Sequence, residues 1–223
     1  MNSEWISIAD YSWHVLSEAR KICTIMSHLS GEVLAHEETM AQFLSDQQAW
    51  HVQILKRPRE NWVNDSYILN ITVGKEKIGI KIHKDVFAPC KAIYEDAHLL
   101  NQLIIDRDIP SVLHSMNQDG WRIVIYKWEK GENPANIIKQ SPEKITTIEQ
   151  SLRKRISSIW TKGLTLRTRT ERIPGPEDFL LREEVLILLD TNKLYKVKTD
   201  IPPCVQAEKI IEDWKRRIEK ALD

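Results

Sequence analysis

Cysteine is scarce in this chain, with three residues in 223, at positions 23, 90 and 204. An odd, widely spaced set makes neither a disulfide framework nor a zinc knuckle, so the core must hold by packing alone. No apolar stretch reaches the length that spans a bilayer, which excludes a transmembrane helix. The N-terminus, Met-Asn-Ser-Glu-Trp, lacks a basic segment followed by an apolar run, so no signal peptide is expected. Net charge is missing too: Lys+Arg and Asp+Glu both number 32. No global field therefore advertises nucleic acid or anionic lipid, and only a local patch could serve either. The eight tryptophans are scattered without a repeat. These absences together predict a soluble protein of the reduced cytoplasm with no membrane association.

What is present is a change of period along the chain. Val15, Leu16, Ala19, Ile22, Met26 and Leu29 recur at helical spacing over about 9–29, with Gly31 as the stop. A second helix is expected over about 32–45. Alternation then takes over in three strands, around Trp50–Leu55, Tyr67–Val73 and Ile78–Ile82, the last two joined by the turn Gly74–Lys77. Pro89 suits the first turn of a helix whose apolar stripe is Ile93, Ala97, Leu100 and Ile104. Asp119-Gly120 is a hairpin turn feeding a strand from Trp121 to Trp128. A helix over about 142–162 and an amphipathic C-terminal helix (Ile210, Ile211, Trp214, Ile218, Leu222) complete the pattern.

Several segments carry chemistry. Ile78-Gly79-Ile80-Lys81 places Gly79 and Lys81 on one face of the third strand and the isoleucines on the other. Glu95 stands at the border of the following helix's apolar stripe, as a partner for Lys81 or as a solvated carboxylate. Ile109-Pro110-Ser-Val-Leu113 leads into the fourth strand, and Lys127-Trp128-Glu129-Lys130-Gly131-Glu132 follows the fifth. Near the end comes Glu171-Arg172-Ile173-Pro174-Gly175-Pro176-Glu177-Asp178-Phe179-Leu180-Leu181, then Val185-Leu-Ile-Leu-Leu-Asp190. In this order, over about residues 50–195, the set resembles the protein-kinase-like phosphotransferases, the aminoglycoside-phosphotransferase-like and RIO-like small kinases among them.

The resemblance implies an α+β, protein-kinase-like fold. An N-terminal helical extension (1–46) would precede a five-stranded antiparallel N-lobe (47–131) and a reduced helical C-lobe (132–223). It further implies Mg²⁺ and ATP as cofactors. Gly79 would lie against adenine, Lys81 would reach the phosphates with Glu95 orienting it, and Lys127 and Trp128 would form the hinge. Asp178, at the family's Asn position, and Asp190 would hold metal; read without the resemblance they are ordinary loop and strand-end carboxylates.

Departures are equally plain. Ile173 occupies the catalytic-base position and cannot accept a proton. The loop Asn61-Trp-Val-Asn-Asp65 contains no glycine where the family uses a glycine-rich turn, and Asp190 is followed by Thr191-Asn192. The resulting expectation is a degenerate kinase-like protein that binds Mg-ATP and acts mainly as a regulatory or interaction module toward a protein partner. Two alternatives stand beside it. One is an active small serine/threonine or small-molecule kinase whose base is Asp178 or Glu171, and the other is a partner-binding protein without nucleotide. The densest positive stretch, 153–172 (Arg153-Lys154-Arg155, Lys162, Arg167, Arg169, Arg172), reads as a solvated helix face or as a patch for phosphate, an acidic partner or RNA.

Overall fold

The computed structural model describes residues 13–56, 66–84, 93–166, 173–196 and 201–220. These fall into two compact units. The first comprises 1–88 and 111–129, the second 89–110 and 130–223.

In the first unit three helices, α1 (Trp13–Met26), α2 (Gly31–Leu34) and α3 (Glu37–Gln48), precede a sheet of β1 (His51–Lys56), β2 (Ser66–Val73), β3 (Glu76–Lys84), β4 (Val112–Gln118) and β5 (Trp121–Lys127). All pairings are antiparallel and the order is β1-β2-β3-β5-β4. The second expected helix is divided: Ser30 caps a single turn through its hydroxyl, and the chain restarts at Glu37. Alternation decides which side of the sheet is dry. Leu69, Ile71, Ile78, Ile80, Ile82, Ile123 and Ile125 pack against Ile22, Met26, Leu34, Met40 and Leu44 of the helices. Helices and sheet thus share one core, tied by two polar contacts. Tyr67 donates its hydroxyl to the Leu34 carbonyl at 2.5 Å, and Trp50 donates its indole N–H to Glu18 at 2.8 Å. Asp119 and Gly120 both adopt positive φ, 50° and 80°, the geometry of a two-residue hairpin.

The second unit holds α4 (Ala97–Ile105), α5 (Pro134–Gln140), α6 (Ile145–Thr161) and α7 (Pro203–Lys220), with the ribbons β6 (Leu164–Leu166)–β9 (Leu194–Lys196) and β7 (Phe179–Arg182)–β8 (Val185–Leu188). The α4 N-cap is Asp96, whose side chain accepts from Leu99 N at 3.0 Å. Glu95 lies one residue ahead of that cap, at the end of a short helical turn, and is exposed. Pro89 lies outside the described residues. Helix α5 and the small ribbon β6–β9 have no counterpart in the sequence pattern, being too short to show a period. Among the described residues no helix is long and apolar enough to cross a membrane.

A buried ionic knot organises this unit. Asp108, fully buried, faces Arg155 of α6, accepts from Ser158 at 3.2 Å and meets Lys162 at 2.8 Å. Arg155 also donates to the carbonyls of Leu186 at 2.5 Å and Asp106 at 3.0 Å. The Asp108 carbonyl accepts from Leu188 N at 2.9 Å. One aspartate therefore pins the end of the β7–β8 hairpin to a helix.

Candidate functional site

The expected site residues divide between the units. Gly79, Lys81, Lys127 and Trp128 belong to the first, and Glu95, Asp178 and Asp190 to the second.

In the first unit Gly79 pairs with Tyr126, and Lys81 with Val124, across β3–β5. Lys81 is buried, 5% exposed, on the face away from the isoleucine core, opposite Val124 and next to the His83–Arg122 pair. The resemblance sets adenine against Gly79, but in the structure the Tyr126 ring lies there. A Cβ at position 79 would collide with the ring's Cζ, Cε2 and hydroxyl, so any larger residue there would force the ring to shift. Burial holds the Tyr126 hydroxyl above its ordinary range, and Trp128 stacks on the ring with centroids 6.2 Å apart. The hinge-like backbone is engaged as well. Lys127 N donates to Ser111 O at 2.9 Å and Trp128 N to Lys77 O at 3.1 Å.

In the second unit Asp178 and Asp190 do meet. Asp178 closes a 3₁₀ turn (Pro176–Asp178) at the start of β7, and Asp190 follows the end of β8. Because Phe179 pairs with Leu188, hairpin geometry brings the two flanking carboxylates to one corner. Leu189 N donates to the Asp178 carbonyl at 2.7 Å and closes it. The Asp178 carboxyl is pushed above the usual carboxylate range, first by burial and then by the Asp190 charge. Lys193 and the Gly175 N–H, 2.8 Å away, pull it back. The Lys193 ammonium stands 3.4 Å from the same oxygen, Oδ2.

The loop ahead of this corner is clamped by α7. Trp214 donates its indole N–H to the Pro174 carbonyl at 2.7 Å, and Arg217 reaches the Ile173 carbonyl at 3.4 Å. Glu171 and Arg172 lie outside the described residues.

Three features escaped the sequence: Tyr126 over Gly79, Lys193 at the acidic corner, and the Asp108 knot. Only Lys193 left a signal, its position three residues past Asp190 in a short turn. The basic stretch does not form a continuous surface among the described residues. Arg155 and Lys162 are turned inward to Asp108, and Arg153 pairs with Glu149 at 3.0 Å and Glu208 at 3.5 Å. Arg167, Arg169 and Arg172 fall outside the described residues.

A divalent metal is the group whose fit this corner tests. Two carboxylates supply hard oxygen ligands suited to Mg²⁺. One of the oxygens, however, already receives a backbone N–H and faces an ammonium. Among the described residues no cluster of three or more His, Cys, Asp or Glu side chains converges to hold an ion.

No protein-family model matches the chain, and no curated protein matches it. Solved structures do. One is the BubR1 kinase domain, at TM-score 0.45 and 16% identity, covering 68% of this chain and 49% of that one, so the chain spans about half its length. Another is a thermostable mutant of the aminoglycoside phosphotransferase APH(4)-Ia in a ternary complex with ADP and hygromycin B. It matches at TM-score 0.50 and 9% identity, covering 82% of each chain. At such identities the likeness is one of fold: α+β, kinase-like, with a five-stranded antiparallel sheet.

Proposed function

We propose that this chain is a kinase-like regulatory or interaction module of the reduced cytoplasm, with weak or no phosphotransfer, acting on a protein partner. The observation that carries the reading is the corner at Asp178 and Asp190. It keeps the acidic pair, while the residue five positions upstream, where the family's base stands, is Ile173. General-base catalysis is worth about 10²–10⁴-fold in rate, so its loss slows transfer without removing the fold's capacity to bind. The Tyr126 ring over Gly79 supports the same reading, since an adenine ring would compete for that space. Lys81, buried on β3, supports a remaining phosphate contact, which makes Mg-ATP a ligand to test and not a substrate to assume.

The test is incubation of the full chain with radiolabelled Mg-ATP and candidate protein acceptors, beside Asp190→Ala. Label transferred by the wild type and abolished in the variant overturns the module reading. Mg-ATP binding is read separately: ligand at 100 Kd raises stability by about 2.7 kcal/mol. A melting shift that Lys81→Ala removes supports a nucleotide-binding module, and the absence of a shift at millimolar Mg-ATP supports a ligand-free one.

A second reading, an active small kinase, is favoured by one observation. The Asp178 carboxyl, raised by burial and by Asp190, is a better proton acceptor than an ordinary aspartate. Transfer that survives Ile173→Ala but is lost in Asp178→Ala would favour that assignment.

A further inference from the structure

Asp190 is followed directly by a 3₁₀ turn, Thr191–Lys193, closed by Lys193 N donating to the Asp190 carbonyl at 3.0 Å. The turn brings the Lys193 side chain to the neighbouring Asp178 carboxylate. Its ammonium stands 3.4 Å from Asp178 Oδ2, with the two side chains only 19% and 16% exposed. The turn is anchored from its other side, where the Thr191 hydroxyl lies 2.7 Å from the Tyr94 hydroxyl. The cation is therefore carried by an anchored turn and is largely buried against the carboxylate.

Resting on the reading of Asp178 and Asp190 as the kinase-like acidic corner, we propose that the Lys193 ammonium is the resident cation of that corner and replaces a divalent metal. Two carboxylates brought together by the ends of a hairpin repel each other, and a positive charge must offset that repulsion. A magnesium ion bound to an oxygen sits about 2.0–2.1 Å from it. An ion at that distance from Asp178 Oδ2 would be set against an ammonium 3.4 Å from the same atom. Metal and ammonium are alternatives at this oxygen, not companions. The lysine is covalently part of the chain, so its local concentration exceeds that of any free cation, and the corner is closed to Mg²⁺.

The experiment is a Mn²⁺ titration of the full chain without nucleotide, followed by the electron paramagnetic resonance signal of free Mn²⁺. It compares wild type, Lys193→Met, and Lys193→Met combined with Asp190→Asn. Wild type is expected to show no saturable site below several millimolar. Removing the ammonium should tighten binding by at least about tenfold, as the loss of one adjacent like charge in a partly buried site implies. Asp190→Asn should then abolish the gain. Should Lys193→Met be unfolded in the metal-free state, refolding by Mn²⁺ but not by K⁺ at equal ionic strength would support the proposal. Failure of either ion to refold it would count against the proposal, unless Lys193→Gln is folded and shows the same gain. Sub-millimolar Mn²⁺ binding by wild type that Asp190→Asn removes overturns the proposal outright, as does unchanged affinity in a folded Lys193→Met. Phosphotransfer plays no part in this readout, so the module reading and the role of Lys193 fail separately.

Discussion

Replacing Arg155 by methionine probes the Asp108 knot, the most consequential polar contact in the second unit. The arginine makes three kinds of contact at once: with the fully buried Asp108 carboxylate, with the Leu186 carbonyl at 2.5 Å, and with the Asp106 carbonyl at 3.0 Å. Methionine preserves much of the apolar stem, so cavity formation is a minor part of the loss. Breaking a buried pair costs about 3–5 kcal/mol because the surviving charge is left uncompensated. Here Lys162 at 2.8 Å and Ser158 at 3.2 Å still face Asp108, which sets the expectation at the lower end, about 3 kcal/mol. For a chain of this size each kcal/mol moves the melting temperature by about 2–4 °C, so Arg155→Met should melt roughly 6–12 °C lower. Urea unfolding followed by tryptophan fluorescence measures the change directly, with an unchanged slope showing that only stability moved. Adding Asp108→Leu to Arg155→Met should recover part of the loss by removing the stranded carboxylate. A single variant within about 1 kcal/mol of wild type, the range of an exposed pair, would refute the account of this contact as a buried tie between helix and hairpin.

Three other outcomes are expected. Gly79→Ala should cost about 1–3 kcal/mol through overpacking against Tyr126, and Tyr126→Leu in the same chain should return most of it; additive losses in a double-mutant cycle would show that the two do not touch. Tyr67→Phe removes a buried hydroxyl from the Leu34 carbonyl and should cost about 1–3 kcal/mol, checked by thermal unfolding, with the first unit's helices losing protection from amide exchange first. His114 is held below its ordinary value of 6.5 by burial, so below that pH the unfolded chain takes up a proton the folded one does not. Stability should therefore fall as pH drops through 6.5 and rise with pH in that window, and His114→Gln should flatten the slope; an unaltered pH profile in the variant would locate the titration elsewhere.

The fold was largely legible in the residues because its signals are local and repetitive. Period-2 alternation in Tyr67–Val73 and Ile78–Ile82, the positive-φ pair Asp119-Gly120, and the helical stripe from Val15 to Met26 each state an element without help from distant residues. The acidic corner was expected only through the family resemblance, and hairpin geometry accounts for it. Asp178 and Asp190 flank a hairpin, and antiparallel pairing brings together the residues just outside its two ends. Burial inverted the sequence's picture of the basic stretch, since Arg153, Lys154 and Arg155 look alike in a string but face different directions on α6.

Periodicity and turn chemistry thus determined the α+β character and the strands, while the pairing of the two carboxylates was implied only by the family resemblance. Tertiary structure alone decided what stands beside them. Tyr126 fills the space that Gly79 opens, Lys193 returns over Asp178, and Asp108 gathers Arg155 and Lys162 from a helix some fifty residues away. The physical reason is that a side chain's partner depends on where the backbone delivers it in three dimensions. Charge and size at one position carry no record of which distant group will lie within a few ångströms.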